Sequence, residues 1–318
     1  MRVLLTGGSG QLGRALIATQ PTRLGGEPLE LLAPSRSELD LADPQACHAA
    51  VRFHRPDWVL NAGAYTAVDR AEQEPELAAA VNGAAPEAMA TALRDGPGRM
   101  LQLSTDFVFD GAQGSPYRPD AATAPLGVYG LTKAHGEQAV LGPLGPQGRA
   151  HVLRTGWVYG PVGQNFCLTM LRLHRQRALQ GQPLAVVADQ VGCPTSTAGL
   201  AAACWRLLQL ATAARAGEPP LPPILHWSDA GAASWYDFAV AIGEQATALG
   251  LLERAAQVLP ITTAEYPTPA QRPSYSLLDG TATRAALDLQ PSHWRLALEA
   301  VLRQRLLAEP WEPPGTQP

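Results

Sequence analysis

Short apolar runs alternate with stretches of helical periodicity through the first half of the chain. The apolar runs predict strands at Arg2–Leu5, Leu29–Leu32, Trp58–Leu60, Met100–Leu103 and Ala150–Arg154. Between them, apolar positions three and four residues apart predict helices at Gln11–Ala18, Pro44–His54, Glu76–Leu93 and 127–140. Strands that alternate with helices are typical of a parallel sheet covered on both faces, so we predict a doubly wound α/β fold.

The alternation loosens after about residue 157. The elements predicted there are helices at Phe166–Leu179, Ala198–Leu210, Ser234–Leu249 and Trp294–Leu307, and a short strand at Leu184–Val187. The Ala- and Pro-rich segment 213–223 predicts a surface linker, and four prolines predict a disordered tail over 309–318. We therefore expect a first domain over 1–156 and a smaller α/β domain over 157–308, part of which returns to the first core.

Composition and charge exclude several classes of protein. With a net charge of -4 and a pI near 6.0, the chain lacks the basic character of nucleic-acid-binding proteins. No apolar run approaches the roughly 20 residues of a membrane span, and the N-terminal apolar run is too short for a signal peptide. The four cysteines lack CxxC spacing, which argues against a zinc site or a disulfide framework. We expect a cytoplasmic protein with no nucleic-acid or membrane partner.

The basic residues are almost all arginine. Of the 24 basic residues, 23 are arginine, and Lys133 is the single lysine. A coding bias toward arginine would leave lysine where a compact, titratable ammonium is required. The alternative is that Lys133 is an exposed lysine that remains by chance. Lys133 is therefore a candidate functional residue.

A glycine-rich loop follows the first predicted strand and opens the first predicted helix. In its GxxGxxG spacing, Gly7, Gly10 and Gly13 permit a tight turn and the close approach of a pyrophosphate to the backbone. Gln11 and Leu12 begin the helix, whose free N–H groups and dipole favour phosphates. A glycine loop at this place in a βαβ pattern predicts a dinucleotide cofactor of the Rossmann type.

The end of the second strand predicts which nicotinamide cofactor is used. An NAD-preferring site has an acidic residue there, but Ser35 and Arg36 occupy the place, with Glu38 just beyond the tip. A hydroxyl and a guanidinium suit a ribose 2′-phosphate, which favours NADPH over NADH. The alternative is that Arg36 is a solvated surface residue. Two residues of the next loop are expected beside the adenine ring: Asp40 and Leu41.

Tyr129 and Lys133 form a YxxxK pair on a predicted helix. Because residues four apart share one helical face, the ammonium is expected near the phenol and to lower its pKa from about 10. The phenol then donates a proton to a carbonyl that receives a hydride. Thr105, at a strand end, is expected to orient and polarise that carbonyl. The alternatives are a strand-end cap for Thr105 and a packed surface aromatic for Tyr129.

These features resemble the extended short-chain dehydrogenases/reductases and, within them, the dTDP-4-dehydrorhamnose reductases. The matching segments run in order over most of the chain: 10–13, 61–72, 104–111, 129–133, 136–137, 154–160, 189–195 and 272–273. The resemblance implies reduction of the C4 ketone of dTDP-4-dehydro-6-deoxy-L-mannose to dTDP-L-rhamnose, the last step of dTDP-rhamnose synthesis. It implies a dTDP-sugar as partner and NADPH, with NADH possible, as cofactor.

The resemblance also implies roles for residues outside the motifs already described. Three residues after the third strand are expected to line the cofactor: Gly63, Ala64 and Tyr65. Lys133 is expected to hold the nicotinamide ribose. Contacts with the substrate are expected from Thr105, Asp106, Phe107, Trp157, Gln190 and Arg272. Arg272 would pair with the diphosphate, the alternative being a surface arginine before a proline.

The chain departs from the family pattern at several positions. Gly63 stands where alanine is more common, and Phe107 replaces a usual tyrosine, which removes a hydroxyl from the expected sugar site. Some relatives form a magnesium-linked dimer through glutamates, one of them early in the first helix. Arg14 and Ala15 occupy that stretch here, so we expect no metal. The sequence leaves open whether the protein is a monomer or a homodimer.

Two alternatives to this function stay open. One is another nucleotide-deoxysugar reductase or epimerase of the same family, because Tyr129 and Lys133 are shared among these enzymes. The other is a non-catalytic subunit of the kind that regulates methionine adenosyltransferase, which has the same fold. Such a subunit need not keep Thr105, Tyr129 and Lys133 together, so their joint presence favours an enzyme.

Overall fold

The computed structural model describes residues 1–214 and 220–308, in which strands and helices alternate along most of the chain. The strands are β1 (Arg2–Thr6), β2 (Arg23–Leu24), β3 (Glu27–Pro28), β4 (Glu30–Leu32), β5 (Trp58–Asn61), β6 (Arg99–Thr105), β7 (Ala150–Thr155), β8 (Val158–Tyr159), β9 (Leu184–Val187), β10 (Val191–Gly192), β11 (Thr195–Ser196), β12 (Ile224–His226), β13 (Ala233–Ser234) and β14 (Val258–Ile261). The α-helices are α1 (Gln11–Ala18), α2 (Pro44–His54), α3 (Val68–Ala71), α4 (Pro75–Ala79), α5 (Ala85–Leu93), α6 (Val128–Leu144), α7 (Phe166–Gln180), α8 (Thr197–Ala213), α9 (Trp235–Ala248), α10 (Thr281–Leu287) and α11 (Trp294–Ala308).

Six of the strands form one parallel sheet in the order β12-β7-β6-β5-β1-β4. The strand order reverses between β1 and β5, so the connections from these two strands diverge. A crevice opens at such a reversal, beyond the carboxyl ends of the strands. The predicted doubly wound α/β fold is confirmed.

The sheet separates two apolar cores because successive side chains of a strand point to opposite faces. On one face, Val3 and Leu5 pack with residues of α1 and α8. On the other face, Leu4 packs with residues of α2, α5 and α6. The register of β6 against β7 places Ser104 beside Arg154 and Thr105 beside Thr155 at the carboxyl end of the sheet.

The chain after residue 157 contributes to a third core as well as to the first. Residues of α7, α9 and α11 enclose Phe238 and Ile242 next to the parallel pair β9-β14. In contrast, α8 packs on α1 and β12 extends the main sheet beside β7. The predicted tail over 309–318 and part of the predicted linker, 215–219, lie outside the described residues.

Several short elements were not predicted, and two differences bear on the site or the main sheet. The helix predicted over Glu76–Leu93 is interrupted by a π-helical turn at Ala80–Ala84, next to Pro86, whose missing N–H cannot continue the α-helical ladder. Asn82 in this turn accepts a hydrogen bond from the Tyr65 backbone N–H at 2.9 Å and donates to the Tyr65 carbonyl at 3.0 Å. The edge strand β12 was not predicted, because its three residues adjoin a proline-rich segment.

None of the helices in the described part of the chain combines the length and apolar character needed to cross a bilayer.

Helix α6 packs unusually close to two backbone segments. A Cβ atom on Gly130 would overlap the carbonyl oxygen of Phe107, and one on Gly136 would overlap that of Asn82. Gly142, farther along the same helix, has open space around its Cα atom. The two buried glycines therefore set how near α6 lies to the end of β6 and to the π-helical turn.

We expect Gly136→Ala to lower the free energy of unfolding by about 1–3 kcal/mol, because the added methyl group forces the helix away from Asn82. Gly142→Ala is the matched control, and it should be neutral or stabilising by up to about 1 kcal/mol. Urea denaturation followed by circular dichroism measures both. Equal midpoints for the two variants would contradict the close packing described here.

Candidate active site

A cavity of about 570 Å³ lies in the crevice at the carboxyl ends of β1 and β5. Every residue predicted to bind the cofactor lines this cavity except Ser35. The residues that do so are Gly7, Gly10, Gln11, Leu12, Gly13, Arg36, Asp40, Leu41, Gly63, Ala64, Tyr65, Tyr129 and Lys133. The structure thus gathers the glycine loop, the end of the third predicted strand and the YxxxK pair around one space.

The glycine loop has the geometry that a dinucleotide pyrophosphate requires. Gly7 has a φ of +69°, and a Cβ atom on it would lie 2.6 Å from the Cα atom of Gly63. A Cβ atom on Gly13 would overlap the Gly7 carbonyl oxygen. Helix α1 starts after Gly10 without a side-chain cap, so its first N–H groups face the loop unblocked. These residues fit a nicotinamide dinucleotide.

Gly63, one of the departures from the family pattern, has a structural explanation. A Cβ atom at this position would lie 2.5 Å from Cδ1 of Leu41, a side chain that also lines the cavity. An alanine there would require Leu41 to shift. Gly63 therefore allows the Leu41 side chain to occupy this position beside the cavity.

At the tip after β4, the two residues predicted to hold a 2′-phosphate have carboxylate partners. The Ser35 backbone N–H donates to Glu38 at 2.7 Å and its hydroxyl donates to the same oxygen at 2.8 Å. The Arg36 side chain is 79% exposed, and its Nε lies 3.8 Å from Asp40 Oδ1. Arg36 borders the cavity, whereas Ser35 is turned to Glu38.

Thr105, Tyr129 and Lys133 come together at the end of β6. Lys133 is only 3% exposed, and its Nζ donates to the Leu103 carbonyl oxygen at 2.6 Å. The Thr105 hydroxyl interacts with the Tyr129 phenol. The Phe107 ring lies edge-on to the Tyr129 ring, with 5.5 Å between centroids. The predicted constellation is thus one continuous cluster on β6 and α6.

Burial dominates the titration of these groups. It raises the pKa of Tyr129 to about 12, and the charge of Asp106 adds to this, while the hydrogen bond with Thr105 opposes it. The expectation that a neighbouring ammonium lowers this pKa is wrong for this structure, because the desolvation of the phenol is the largest effect. Burial lowers the pKa of Lys133 to about 8, against the charge of Glu137. Tyr129 is therefore fully protonated at neutral pH.

Asp106 lies beside this cluster, fully enclosed. Its Oδ1 accepts a hydrogen bond from the Thr105 hydroxyl at 3.0 Å. Burial raises the pKa of this carboxyl to about 6, against hydrogen bonds from Ser276 and Thr105. The Asp106 carboxyl thereby orients the hydroxyl of Thr105.

Two stacked tryptophans join the remaining predicted residues. Trp157 has a φ of +52°, a strained value for a bulky side chain, and its ring stacks on Trp235 with 3.4 Å between centroids. Gln190 accepts a hydrogen bond from Trp235 Nε1 and donates one to the Thr263 hydroxyl, each at 3.1 Å. Gly192 leaves room for the Trp157 indole. Trp157 and Gln190 thus meet on Trp235, which the sequence analysis did not identify.

Arg272 has a protein partner in this structure. Its guanidinium binds both carboxylate oxygens of Asp69, at 2.8 and 3.0 Å, and it also donates to Thr268 and to the Ala270 carbonyl. The predicted pairing with a substrate diphosphate would require Arg272 to exchange the Asp69 carboxylate. Arg70, one residue beyond Asp69, lines the cavity, whereas Arg272 does not.

Other side chains at the site were missed by sequence reasoning. Thr155 borders the cavity, and its hydroxyl has no hydrogen-bond partner among the described residues. Only its strand-end position signalled it. Glu137 follows Lys133 by one helical turn and lay within a matching segment, but nothing in the sequence gave it a role. Across residues 1–214 and 220–308, no group of three or more His, Cys, Asp or Glu is placed to hold a metal ion.

Comparisons with known proteins agree with this geometry. The family model described as "RmlD substrate binding domain" matches residues 1–306. The dTDP-4-dehydrorhamnose reductase of Aggregatibacter actinomycetemcomitans is 40% identical over 300 residues, which cover 94% of this chain and 98% of that protein. A probable dTDP-4,6-dihydroxy-2-methyloxan-3-one 4-ketoreductase of Streptomyces antibioticus is 40% identical over 97% of both chains.

A solved structure shows the same similarity in three dimensions. The dTDP-4-dehydrorhamnose reductase of Bacillus anthracis, in complex with NADP, has a TM-score of 0.82 and 31% identity. The alignment covers 95% of this chain and 99% of that one. The resemblance carried by the motifs is confirmed, and the chain belongs to the dTDP-4-dehydrorhamnose reductase family of extended short-chain dehydrogenases/reductases.

Proposed function

We propose that this protein reduces the C4 ketone of dTDP-4-dehydro-6-deoxy-L-mannose to dTDP-L-rhamnose with NADPH, the last step of dTDP-rhamnose biosynthesis. The observation that carries the proposal is the cluster of Thr105, Tyr129 and Lys133 at the end of β6, in which Tyr129 and Lys133 line the cavity. A regulatory subunit without catalysis has no need for this cluster.

The buried residues suit the two tasks that a carbonyl reduction requires. Bound NADPH supplies the hydride. Tyr129, held protonated by its raised pKa, donates a proton to the carbonyl oxygen. Thr105 donates its single hydroxyl proton to Asp106 in this structure, so it would polarise the ketone oxygen by turning that proton from the carboxylate toward the substrate. Lys133, whose Nζ lies at the Leu103 carbonyl beside the cavity, would hold the ribose hydroxyls of the bound cofactor.

The chain divides between these two ligands. We assign the cofactor to residues 1–156 and the dTDP-sugar mainly to 157–308, with α8 and β12 returning to the first core. Asp106, Phe107, Trp157 and Gln190 form the sugar side of the site, and Arg272 faces the diphosphate after leaving Asp69. The protein works in the cytoplasm as a monomer or homodimer.

A second candidate is the reduction of a related dTDP-4-ketosugar, favoured by the 4-ketoreductase relative. The chemistry at Tyr129 would be the same, because a C4 ketone is reduced in both cases. The two candidates differ only in the hydroxyl pattern of the sugar ring, so rates with the two ketosugars separate them.

The test of the proposed function is NADPH oxidation, followed at 340 nm after addition of dTDP-4-dehydro-6-deoxy-L-mannose, with dTDP-glucose as the control. We expect oxidation with the ketosugar alone and dTDP-L-rhamnose as the product by mass spectrometry and NMR. Protein that binds NADPH but consumes none with the ketosugar would overturn the proposal.

Lys133→Arg should lower kcat roughly 100-fold although it keeps the positive charge. The planar guanidinium cannot occupy the space of a compact ammonium at the Leu103 carbonyl. Steady-state kinetics with the ketosugar measure the change. The exchange Arg303→Lys on an exposed helical face is the control and should leave kcat unchanged. Near-normal turnover of Lys133→Arg would show that only the charge matters.

Glu38→Gln should raise the ratio of kcat/KM for NADPH over NADH by roughly threefold to tenfold, because it removes a negative charge from the expected 2′-phosphate site. Arg36→Ala should lower kcat/KM for NADPH and leave the value for NADH unchanged. Kinetics with both cofactors at low ionic strength measure these ratios. Parallel changes for NADPH and NADH in either variant would place the 2′-phosphate elsewhere.

A further inference from the structure

A buried carboxylate with three donors lies behind the catalytic cluster. Glu137 accepts hydrogen bonds from Ser104 Oγ at 2.5 Å and from Arg154 Nε and Nη2 at 2.9 and 2.7 Å. Glu137 and Arg154 form an ion pair, and their side chains are only 4% and 3% exposed to solvent. The third Arg154 nitrogen donates to the Pro119 carbonyl at 3.3 Å.

This carboxylate connects the elements that carry the reaction. Ser104 directly precedes Thr105 at the end of β6. In the pairing of β6 with β7, Ser104 lies beside Arg154. Glu137 lies one helical turn after Lys133 on α6. The Lys133 ammonium binds the carbonyl of Leu103, which directly precedes Ser104. Leu103 and Ser104, which are adjacent on β6, are therefore bound by Lys133 and Glu137, which are four residues apart on α6.

The charge of Glu137 acts on Lys133 as well as on its own partners. Lys133 is buried, which disfavours its protonated form, and the negative charge of Glu137 opposes this effect. The other titratable or charged groups around the cluster are Tyr129 on α6, Asp106 after β6, Arg154 on β7, His226 on β12, and Arg70 and Glu74 across the cavity. Among these groups, Glu137 is the one whose charge acts appreciably on the Lys133 ammonium.

We propose that Glu137 is a positioning residue for Lys133: fixed by Ser104 and Arg154, it sets α6 against β6 and keeps the ammonium charged at the cavity. The role given to Lys133 rests on the proposed function, but its coupling to Glu137 does not. A buried ion pair is weak evidence for stability, since apolar replacements are often as stable. A function at the site explains why the pair lies beside Lys133.

The single lysine makes the coupling directly measurable. Protein labelled with carbon-13 at lysine Cε has one lysine resonance, and its pH titration gives the pKa of Lys133 without assignment or substrate. We expect Glu137→Gln to lower the midpoint by about one pH unit, because an opposite charge nearby is lost. In the active enzyme, the alkaline limb of kcat/KM should move by the same amount.

A double variant separates the charge effect from stability. Glu137→Met with Arg154→Met replaces the pair by apolar side chains and should remain folded. The midpoint of its Lys133 titration should fall between those of the wild type and Glu137→Gln. The double variant loses the negative charge of Glu137 and the positive charge of Arg154 together, so their effects on Lys133 partly cancel. Glu299→Gln, which removes an exposed Glu–Arg pair on α11, is the control and should leave the midpoint unchanged.

A wild-type midpoint in both Glu137 variants, with only the melting temperature changed, would make the pair purely structural and overturn the proposal. If Glu137→Gln does not fold, the double variant decides alone. A shifted titration in a protein that does not reduce the ketosugar would reject the proposed function and leave the coupling intact.

Discussion

The close approach of helix α6 to the end of β6 is the constraint on which the site depends. Gly130 and Gly136 allow it, because a side chain at either position would overlap a backbone carbonyl. The approach lets one ammonium reach the Leu103 carbonyl and lets the hydroxyls of Tyr129 and Thr105 meet. A helix displaced by the width of a methyl group would still fold on the sheet, but it would separate the proton donor from the group that orients the ketone.

The close packing of α6 on β6 also buries charged side chains, and this burial changes their pKa values. Lys133, Glu137, Arg154 and Asp106 are nearly inaccessible to water, where an unpaired ion is costly. Hydrogen bonds to backbone carbonyls and within the ion pair offset this cost. In return, water cannot screen the groups aimed at the ketone, so their fields act at greater strength. The high pKa of Tyr129 belongs to this balance, and it keeps the phenol protonated.

The fold was largely predictable from the sequence, because its signals are local. Gln11–Ala18 and Pro44–His54 have the predicted bounds, since apolar periodicity and, for the second helix, the Asp43 cap lie within one segment. The Asp69–Arg272 pair and the Trp157–Trp235 stack were not predictable. Each depends on which distant residues the fold brings together, and no periodicity or spacing records that.

The single lysine illustrates where composition and geometry meet. Arg154 is a buried arginine whose nitrogens all have acceptors. Two of them donate to the Glu137 carboxylate, and the third donates to the Pro119 carbonyl. Position 133 offers a single carbonyl at the end of β6, beside an open cavity. A guanidinium has five N–H donors in a rigid plane, and most would find no acceptor there. An ammonium has three rotatable donors, which leaves the others for a ligand in the cavity. The single lysine of the chain therefore lies at a position where the geometry suits a compact cation.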